Sequence, residues 1–425
     1  MARENVFVGI DVGSSKISTI IASSEEEKLT VIGVSTVDSK GIRKGQVVDI
    51  DEAVSAIGQS LELAERMAGA SVSSCLVSVG GVHISSINSR GVVAVAGGEN
   101  EINDDDVRRV VEAAQAISVP SSREIIHVIP RDYIVDSQEG IKDPVGMTGV
   151  RLEVETHIIT GATTSIRNLV KCIQHVGVDV EALVFSGIAS AESTLTDTEK
   201  ELGVALVDIG GGTTDVALFV DGSIAHSAVI PIGGKNITND LAIGMRSSLE
   251  SAEKIKIALS EKTDRKTKAE DEETERNKRS ETLDVSKIGI TEDLGVLSKK
   301  TLIEGIIKPR LTEIFTLVGM EIKRAGFAGM LPAGVVITGG AASTMLLNQV
   351  GKEVLRMPVR TALPDSVGGL IDEISSPAYS APVGLLLYGQ KVSASMTRPG
   401  ISLPKAKNLT DVLRKLAGWV RSLLP

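Results

Sequence analysis

Two stretches of this chain carry residue types suited to holding a phosphate chain, and they match each other although they lie far apart. The first is VGIDVGSSKISTIIA, residues 8–22; the second is ALVDIGGGTTDVALFV, residues 205–220. Laid together, Asp11 falls on Asp208, Gly13 on Gly210, and Ser14-Ser15 on Gly211-Gly212. Each reads as an apolar strand ending in Asp, a turn of very small residues, and a second apolar strand. Glycine turns allow positive φ and bring backbone N–H groups close to an anion. The hydroxyls of Ser14, Ser15, Thr213 and Thr214 are donors for phosphate oxygens. Lys16 adds a compact positive charge. Asp11 and Asp208 would repel a phosphate directly, so they make sense with a Mg²⁺ and its waters between them and the anion. Two such hairpins facing each other would clamp one nucleoside triphosphate. One glycine hairpin alone is no more than a tight turn; the matched pair, with Asp at each strand end, carries the nucleotide reading.

Three further pieces fit such a site. VIPIGGKNIT (229–238) is a strand followed by Gly233-Gly234. AEKIKIALS (252–260) puts Glu253 and Lys256 on one helical face, in reach of ribose hydroxyls or base edges, the alternative being a surface salt bridge. GVVITGGAAS (334–343) is a buried strand ending in Gly339-Gly340, where a flat base could lie against bare backbone; a plain strand-to-helix turn is the alternative. No G-x-x-x-x-G-K-[ST] loop and no G-x-G-x-x-G fingerprint occurs, which disfavours a Walker-type or dinucleotide site.

The elements that must position these residues alternate short β-branched runs with helical periodicity, an α/β pattern. VSAIGQSLELAERMAG reads as a helix and CLVSVGG as a buried strand. From about 83 to 162 the texture changes: DDDVRRVVEAAQAI is an amphipathic helix opened by acids, flanked by the strands GVVAV, EIIHVIP and RLEVETHIIT. That stretch reads as a small inserted α+β unit. TSIRNLVKCIQHVG is a helix closed by a glycine, VEALVFS a strand, and a second α/β half starts near 203.

Composition limits the function. The 425 residues suffice for about two to four compact units. A net charge of −10 argues against nucleic-acid binding through global charge. Cys75 and Cys172 have no metal or redox spacing and suit a reducing compartment. His83, His127, His157, His175 and His226 are scattered and read as structural. Neither a signal peptide nor an apolar stretch long enough to span a bilayer is visible, so the body is expected in the cytoplasm.

Two polar stretches interrupt the pattern. EKTDRKTKAEDEETERNKRSETLD (261–284) has nearly balanced charge and almost no apolar residues; it reads as a solvated loop, or as a charged arm for a partner. MTRPGISLPKAK is a short linker before NLTDVLRKLAGWVRSLLP (408–425), which holds the only Trp. On a helical wheel Leu409, Val412, Leu413, Leu416, Trp419, Val420 and Leu423 share one face, opposite Arg414, Lys415 and Arg421. Asn408 is positioned to cap this helix. Such a helix suits the interface of an anionic bilayer and is too short to cross it. Docking of its apolar face on the protein's own core is the alternative.

In these residues the chain resembles the actin-like ATPase superfamily, with its order of phosphate hairpin, insertion, connecting helix, second hairpin and ITGGAA. Within it, HVIPRDYIVDSQEGIKDPVGMTGVRLEVETHIIT (127–160), LVFSGIASAESTLTDTEKELGVALVDIGGGTTD, IKPRLTEIFTLVGMEI and PVGLLLYG resemble the FtsA family of bacterial cell-division proteins over nearly the whole chain. The resemblance implies an actin-like fold of duplicated ribonuclease H-like halves with ATP and Mg²⁺ between them. Subdomain 1A would comprise 1–82 and 163–200. Subdomain 1C, the SHS2-like insertion, would be 83–162. Subdomain 2A would comprise 201–235 and 333–390, and 2B would be 236–332 with the charged loop 261–284. A linker at 391–407 and the amphipathic helix 408–425 would follow. It implies self-assembly into filaments, tethering of FtsZ to the cytoplasmic face of the membrane at the division site, and recruitment of later division proteins. Arg310, in KPRLTE, matches a position that contacts the C-terminal peptide of FtsZ; a guanidinium holds a carboxylate with two bonds. Its other reading is an ordinary surface arginine.

The residues depart from the wider superfamily at FSGIASAES, where many relatives carry a Glu or Gln that orients the attacking water. Ser186 and Gly187 fall near that position, and neither does that work. Asp208 remains as a group to orient water, so slow ATP hydrolysis is expected. Three other readings have less behind them. A sugar kinase would need a second pocket with a catalytic carboxylate. A pilus-assembly relative would share the insertion but not the basic tail. A chaperone ATPase would continue into a peptide-binding domain.

Overall fold

The computed structural model describes residues 5–25, 28–96, 98–116, 119–264, 282–283, 285–292, 294 and 297–397. The expected membrane helix 408–425, with Leu413, Arg414, Lys415, Leu416, Trp419, Val420, Arg421 and Leu423, lies outside the described residues, as does most of the charged stretch.

Two sheets repeat one plan. In the first half, strands Asn5–Val12, Lys16–Glu25 and Lys28–Asp38 form an antiparallel meander. Ser74–Val79 joins Asn5–Val12 in parallel, and Asp179–Phe185 joins Ser74–Val79 in the same sense. In the second half, Val204–Ile209, Thr214–Val220 and Ser223–Ile230 form the meander. Val335–Thr338 joins Val204–Ile209 in parallel, followed by Val359–Thr361. The strands that carry the two Asp residues therefore lie at the same place in each sheet, one neighbour antiparallel and the other parallel. Val204–Ile209 is buried at every position, the signature of a strand covered on both faces.

Local sequence explains the covering helices. Helix Ile50–Ala68 is capped by the Asp49 carboxylate, which accepts from the Glu52 N–H at 3.0 Å, and is closed by Gly69 at φ 66°. It buries Ala53, Ala56, Ile57, Leu61 and Ala64, a helical stripe, against strand Lys28–Asp38. Helices Ser186–Thr194 and Ser380–Thr397 pack on each other behind the junction of the two halves. Gly384 permits the crossing, since a Cβ there would fall on the Ala189 carbonyl oxygen.

The insertion is a four-stranded sheet in the order Ser85–Ala94, Arg151–Ala162, Arg123–Val135, Gln138–Ile141. Helix Asp104–Gln115 lies across it, started by a capping box between Asn103 and Asp106. Val110, Ala114, Tyr133, Val135, Leu152 and Val154 form a core of their own, apart from the large apolar cluster that joins the two halves.

Two expected boundaries move. Helix Leu249–Asp264 continues through 261–264, and Thr282–Leu283 pairs as a short strand with Leu297–Ser298, so the charged stretch is narrower than its composition suggested. No glycine or proline stops the helix within EKTD. Likewise helix Ser380–Thr397 takes up the first seven residues of the expected linker.

Candidate functional site

The two hairpins turn their tips toward each other. Each tip is closed by the same bond: Gly13 N–H donates to the Lys16 carbonyl at 3.1 Å, and Gly210 N–H to the Thr213 carbonyl at 2.9 Å. The tips touch. A Cβ on Gly211 would stand 2.7 Å from Cβ of Ser15, and one on Gly212 would stand 3.0 Å from Cβ of Ser14. Bare backbone is what lets them approach, so the glycine-for-serine difference between the repeats is a steric fit. Ser14 is the crossing point. Its hydroxyl oxygen accepts from Gly45 N–H at 2.9 Å, and its carbonyl accepts from Lys235 Nζ of the opposite half at 2.6 Å.

Behind the tips lie three carboxylates. Asp11 accepts from Ser78 Oγ at 2.6 Å. Asp208 accepts from Ser190 Oγ of helix Ser186–Thr194. Asp215, at the exit of the second hairpin, is buried with its Oδ1 unpartnered. Burial pushes all three carboxyls up. Asp208 rises to about 6 through burial, offset by the Ser190 hydrogen bond and raised further by Asp11. Asp215 rises well above its ordinary value through burial, then through Asp208 and Asp11. Asp11 rises by burial against the pull of Ser78 and Lys16. Lys16 is the cation that offsets Asp11 and Asp208, and its own pKa is lowered, first by burial. Its Nζ lies 4.1 Å from the centre of the Tyr379 ring, a cation–π contact.

Three mutually repelling carboxylates with one ammonium form a site short of positive charge, which suits a divalent cation. Among the described residues no three His, Cys, Asp or Glu side chains converge as a direct ligand set. The donor set therefore fits a hard cation held largely by water and phosphate oxygens, with Asp11 and Asp208 around it, and not a cage of protein ligands.

The glycine pairs line the same cleft. Gly234 N–H donates to the Gly210 carbonyl and Lys235 N–H to the Gly211 carbonyl, both at 2.8 Å, so IGGKN is tied to the second hairpin. Gly339 has φ 89°, and a Cβ there would come within 2.1 Å of Asp208 Oδ1. Gly340 has no heavy atom nearer than 3.9 Å to its Cβ position, an open surface. Glu253 and Lys256 pair at 2.7 Å, but Lys256 is buried and also donates to Thr238 Oγ1 at 2.9 Å and to the Gly234 carbonyl at 3.4 Å. The pair is thus a fixed support beneath the glycine pair, unlike an exposed surface bridge.

Three residues stand differently from their sequence reading. Thr214 spends its hydroxyl proton on the Ile232 carbonyl at 2.8 Å and is buried, so it braces the turn and has no proton left for a phosphate. Its neighbour Thr213, by contrast, closes the tip through its carbonyl and keeps a half-exposed side chain, so its reading as a donor is unchanged. Asp208 has one oxygen engaged by Ser190, which reduces its freedom to orient a water. The fork of Arg310 is already filled: Nε and Nη2 donate to Asp240 at 2.6 and 2.9 Å, and Nη1 donates to Glu313. Asp215 was missed. Laid on the first hairpin it falls on Ser18, and this break in the repeat is the signal that could have found it.

Ser186 does lie at the cleft. Its Oγ and Asp215 Oδ2 are 2.9 and 3.1 Å from the point where a Cβ on Gly80 would stand.

Comparison with known proteins decides the family. The model described as "SHS2 domain inserted in FTSA" matches residues 81–160, the four-stranded insertion. The model described as "Cell division protein FtsA" matches residues 205–384. The chain is 40% identical over 420 residues to the cell division protein FtsA of Pseudomonas aeruginosa, covering 98% of this chain and 97% of that protein. It belongs to the FtsA family. FtsA of Bacillus subtilis is 37% identical over 94% of this chain and 89% of its own length, and FtsA of Escherichia coli K12 is 35% identical over 97% of each. Among solved structures, the PilM–PilN type IV pilus biogenesis complex superposes with TM-score 0.63 at 13% identity, over 90% of this chain and 98% of that one. MreB5 of Spiroplasma citri bound to AMPPNP gives 0.52 at 12% identity, over 92% and 98%. These two establish the actin-like fold. FtsA membership rests on the sequence identity, which sets aside the pilus-assembly alternative.

Proposed function

We propose that this FtsA-family chain binds ATP with Mg²⁺ between its halves, assembles with copies of itself, and tethers FtsZ to the membrane. The observation that carries the nucleotide reading is the pair of touching hairpin tips with Asp11, Asp208 and Lys16 behind them. Backbone N–H groups of Ser14, Ser15, Gly211 and Gly212, with Lys16, would hold the phosphates. Gly233-Gly234 and Gly339-Gly340, supported by Glu253 and Lys256, would take the nucleoside. A bound Mg²⁺ would neutralise phosphate charge and relieve the repulsion between the buried carboxylates. With Asp208 engaged by Ser190 and Ser186 in place of a carboxylate or amide, hydrolysis is slow and nucleotide acts mainly as an assembly ligand. A turnover above about 1 s⁻¹ for the purified protein, within the usual enzyme range, would sink this.

Membrane attachment is assigned to 408–425. A single interfacial helix binds weakly, and a filament bearing many binds tightly. The deciding experiment is co-sedimentation of FtsZ with anionic vesicles, comparing the full chain with one ending at Lys407. Loss of FtsZ from the vesicles on truncation supports the tether, and unchanged recruitment rejects it. Later division proteins would gather on the same assembly.

For FtsZ binding, a carboxylate of its C-terminal peptide would have to displace Asp240 from Arg310. Replacing Asp240 by Asn should then strengthen peptide binding, while Arg310→Ala abolishes it. Equal affinity for Asp240→Asn and the parent chain would remove Arg310 from the contact.

A further inference from the structure

The inserted unit is fastened to both halves, and the two fastenings differ in kind. Arg123 holds its neck. The guanidinium donates to the carbonyl of His83, where the chain enters, at 3.0 Å. It also donates to the Thr160 hydroxyl and carbonyl, where the chain leaves, each at 2.9 Å. Just before His83, Gly81 presses on the Lys44-Gly45 turn and Gly80 on Ser186 and Asp215. The insertion is therefore rooted in the first half at the rim of the cleft.

Its other side lies on the second half. Strand Ser223–Ile230 is the edge of that sheet, and among the described residues no strand pairs its backbone with the outer carbonyls. Strand Ser85–Ala94 runs along this edge and covers it with side chains. Ser86 Oγ donates to the Ser227 carbonyl at 2.7 Å, and Asn88 Nδ2 donates to the Ala225 carbonyl at 3.2 Å. Donors two residues apart meet acceptors two residues apart, in opposite chain directions.

The direction of each further bond follows. With its NH₂ on Ala225, the Asn88 amide turns Oδ1 to His157 Nδ1 at 2.6 Å, so that nitrogen carries the proton. His157 Nε2 then accepts from Ser227 Oγ at 2.9 Å. A neutral imidazole is required, and burial lowers His157 to about 3, helped by the charges of His226, Arg131 and His127. Farther along, Lys142 Nζ donates to the Asp221 carbonyl at 2.7 Å and to Asp132 at 2.8 Å, and Ser223 Oγ to the Arg131 carbonyl at 3.4 Å.

We propose that this polar seam is a latch: the inserted unit, rooted in the first half by Arg123, grips the edge strand of the second half, so that the halves part at the cleft only when the seam breaks. Strand Ser223–Ile230 moves with the second hairpin, because Ile230 pairs with Thr214 and Val229 with Asp215. The insertion moves with the first hairpin's half, so opening shears the seam. Side-chain bonds to edge carbonyls are readily exchanged for water, so the latch is reversible in a way that a packed apolar interface is not.

The inference goes beyond the nucleotide reading and uses nucleotide as a probe. Asn88 is exposed, so Asn88→Ala leaves the cores intact, and Ser86→Ala is the second variant. Hydrogen exchange of peptides over 223–230 and 205–215 is measured on the full chain, with and without Mg·ATPγS, alongside stopped-flow release of a fluorescent ATP analogue. In the parent chain nucleotide should slow exchange at 223–230. Each variant should speed exchange at both peptides and release the analogue about threefold faster or more, the order of one neutral hydrogen bond. Exchange at 223–230 that ignores nucleotide, or faster exchange with unchanged release, overturns the latch. If the parent chain binds no analogue, the nucleotide reading fails. The ligand-free exchange then decides: a rise confined to 223–230, without 205–215, overturns the latch.

Discussion

The first hairpin brings side chains to the cleft and the second brings bare backbone. Ser14, Ser15 and Lys16 occupy one tip; Gly211 and Gly212 face them with nothing, because a Cβ at either would meet a serine Cβ at 3.0 Å or less. The carboxylates divide the other way. The first hairpin carries Asp11 alone, and the second carries Asp208 and Asp215. One backbone plan, closed by one hydrogen bond in each copy, has thus been specialised into a cationic, hydroxyl-bearing jaw and a small, acidic jaw. Repeats conserve backbone geometry because both sheets need it, and side chains diverge because the two jaws must fit each other.

The comparison breaks most severely at Gly339. Gly339→Ala would force a side chain at positive φ onto Asp208, and it should weaken binding of an ATP analogue by about a hundredfold or more and lower Tm, read by titration and calorimetry. Gly211→Ala should be milder. Overpacking costs about 1–3 kcal/mol, so affinity should fall about 10–100-fold, and Ser15→Gly in the same chain should recover much of it. Failure of that rescue would mean that the tips do not meet in the nucleotide-bound state.

Asp215→Asn sharpens the acidic side. It removes a buried carboxyl without a counterion of its own, which the fold must keep protonated at a cost, so the ligand-free protein should melt about 2–4 °C higher at neutral pH while binding Mg·ATP less tightly. The sign with pH follows from the raised carboxyls. The folded chain keeps protons that the unfolded chain has released, so the stability that these groups contribute is full below their ordinary value near 3.8. Asp208 loses its share as pH rises through about 6. The melting gap between Asp215→Asn and the parent chain should accordingly widen from pH 5 to pH 8. The smallest effect is expected from Lys235→Ala, which deletes one part-buried bond across the jaws and should shift affinity about two- to fivefold.

Periodicity and turn chemistry made most of the fold legible. Strands 5–12, 74–79 and 204–209 are runs of β-branched and apolar residues bounded by small ones, and helix 104–115 announces itself with acids at its start. Those signals are local, and the physics behind them is local too. What failed was non-local. Thr214 and Thr213 are adjacent and chemically alike, yet Thr214 is buried against Ile232 because it opens the strand and pairs with Ile230, while Thr213 still belongs to the turn. Arg310 read as available because its partner Asp240 sits on another helix. Asp215 escaped notice because an Asp after a Gly-Thr turn means little until Asp11 and Asp208 are beside it.

By itself the sequence determined the duplicated α/β plan, the insertion and the identity of the two tips, since each is written as a pattern of apolar spacing and small residues along a few neighbouring positions. Only the tertiary structure decided which glycines are bare because another chain segment presses on them, which acids share one cation, and that the insertion spans the cleft by gripping an edge strand. Those properties depend on distances between segments that are remote in the chain, and no local pattern encodes such distances.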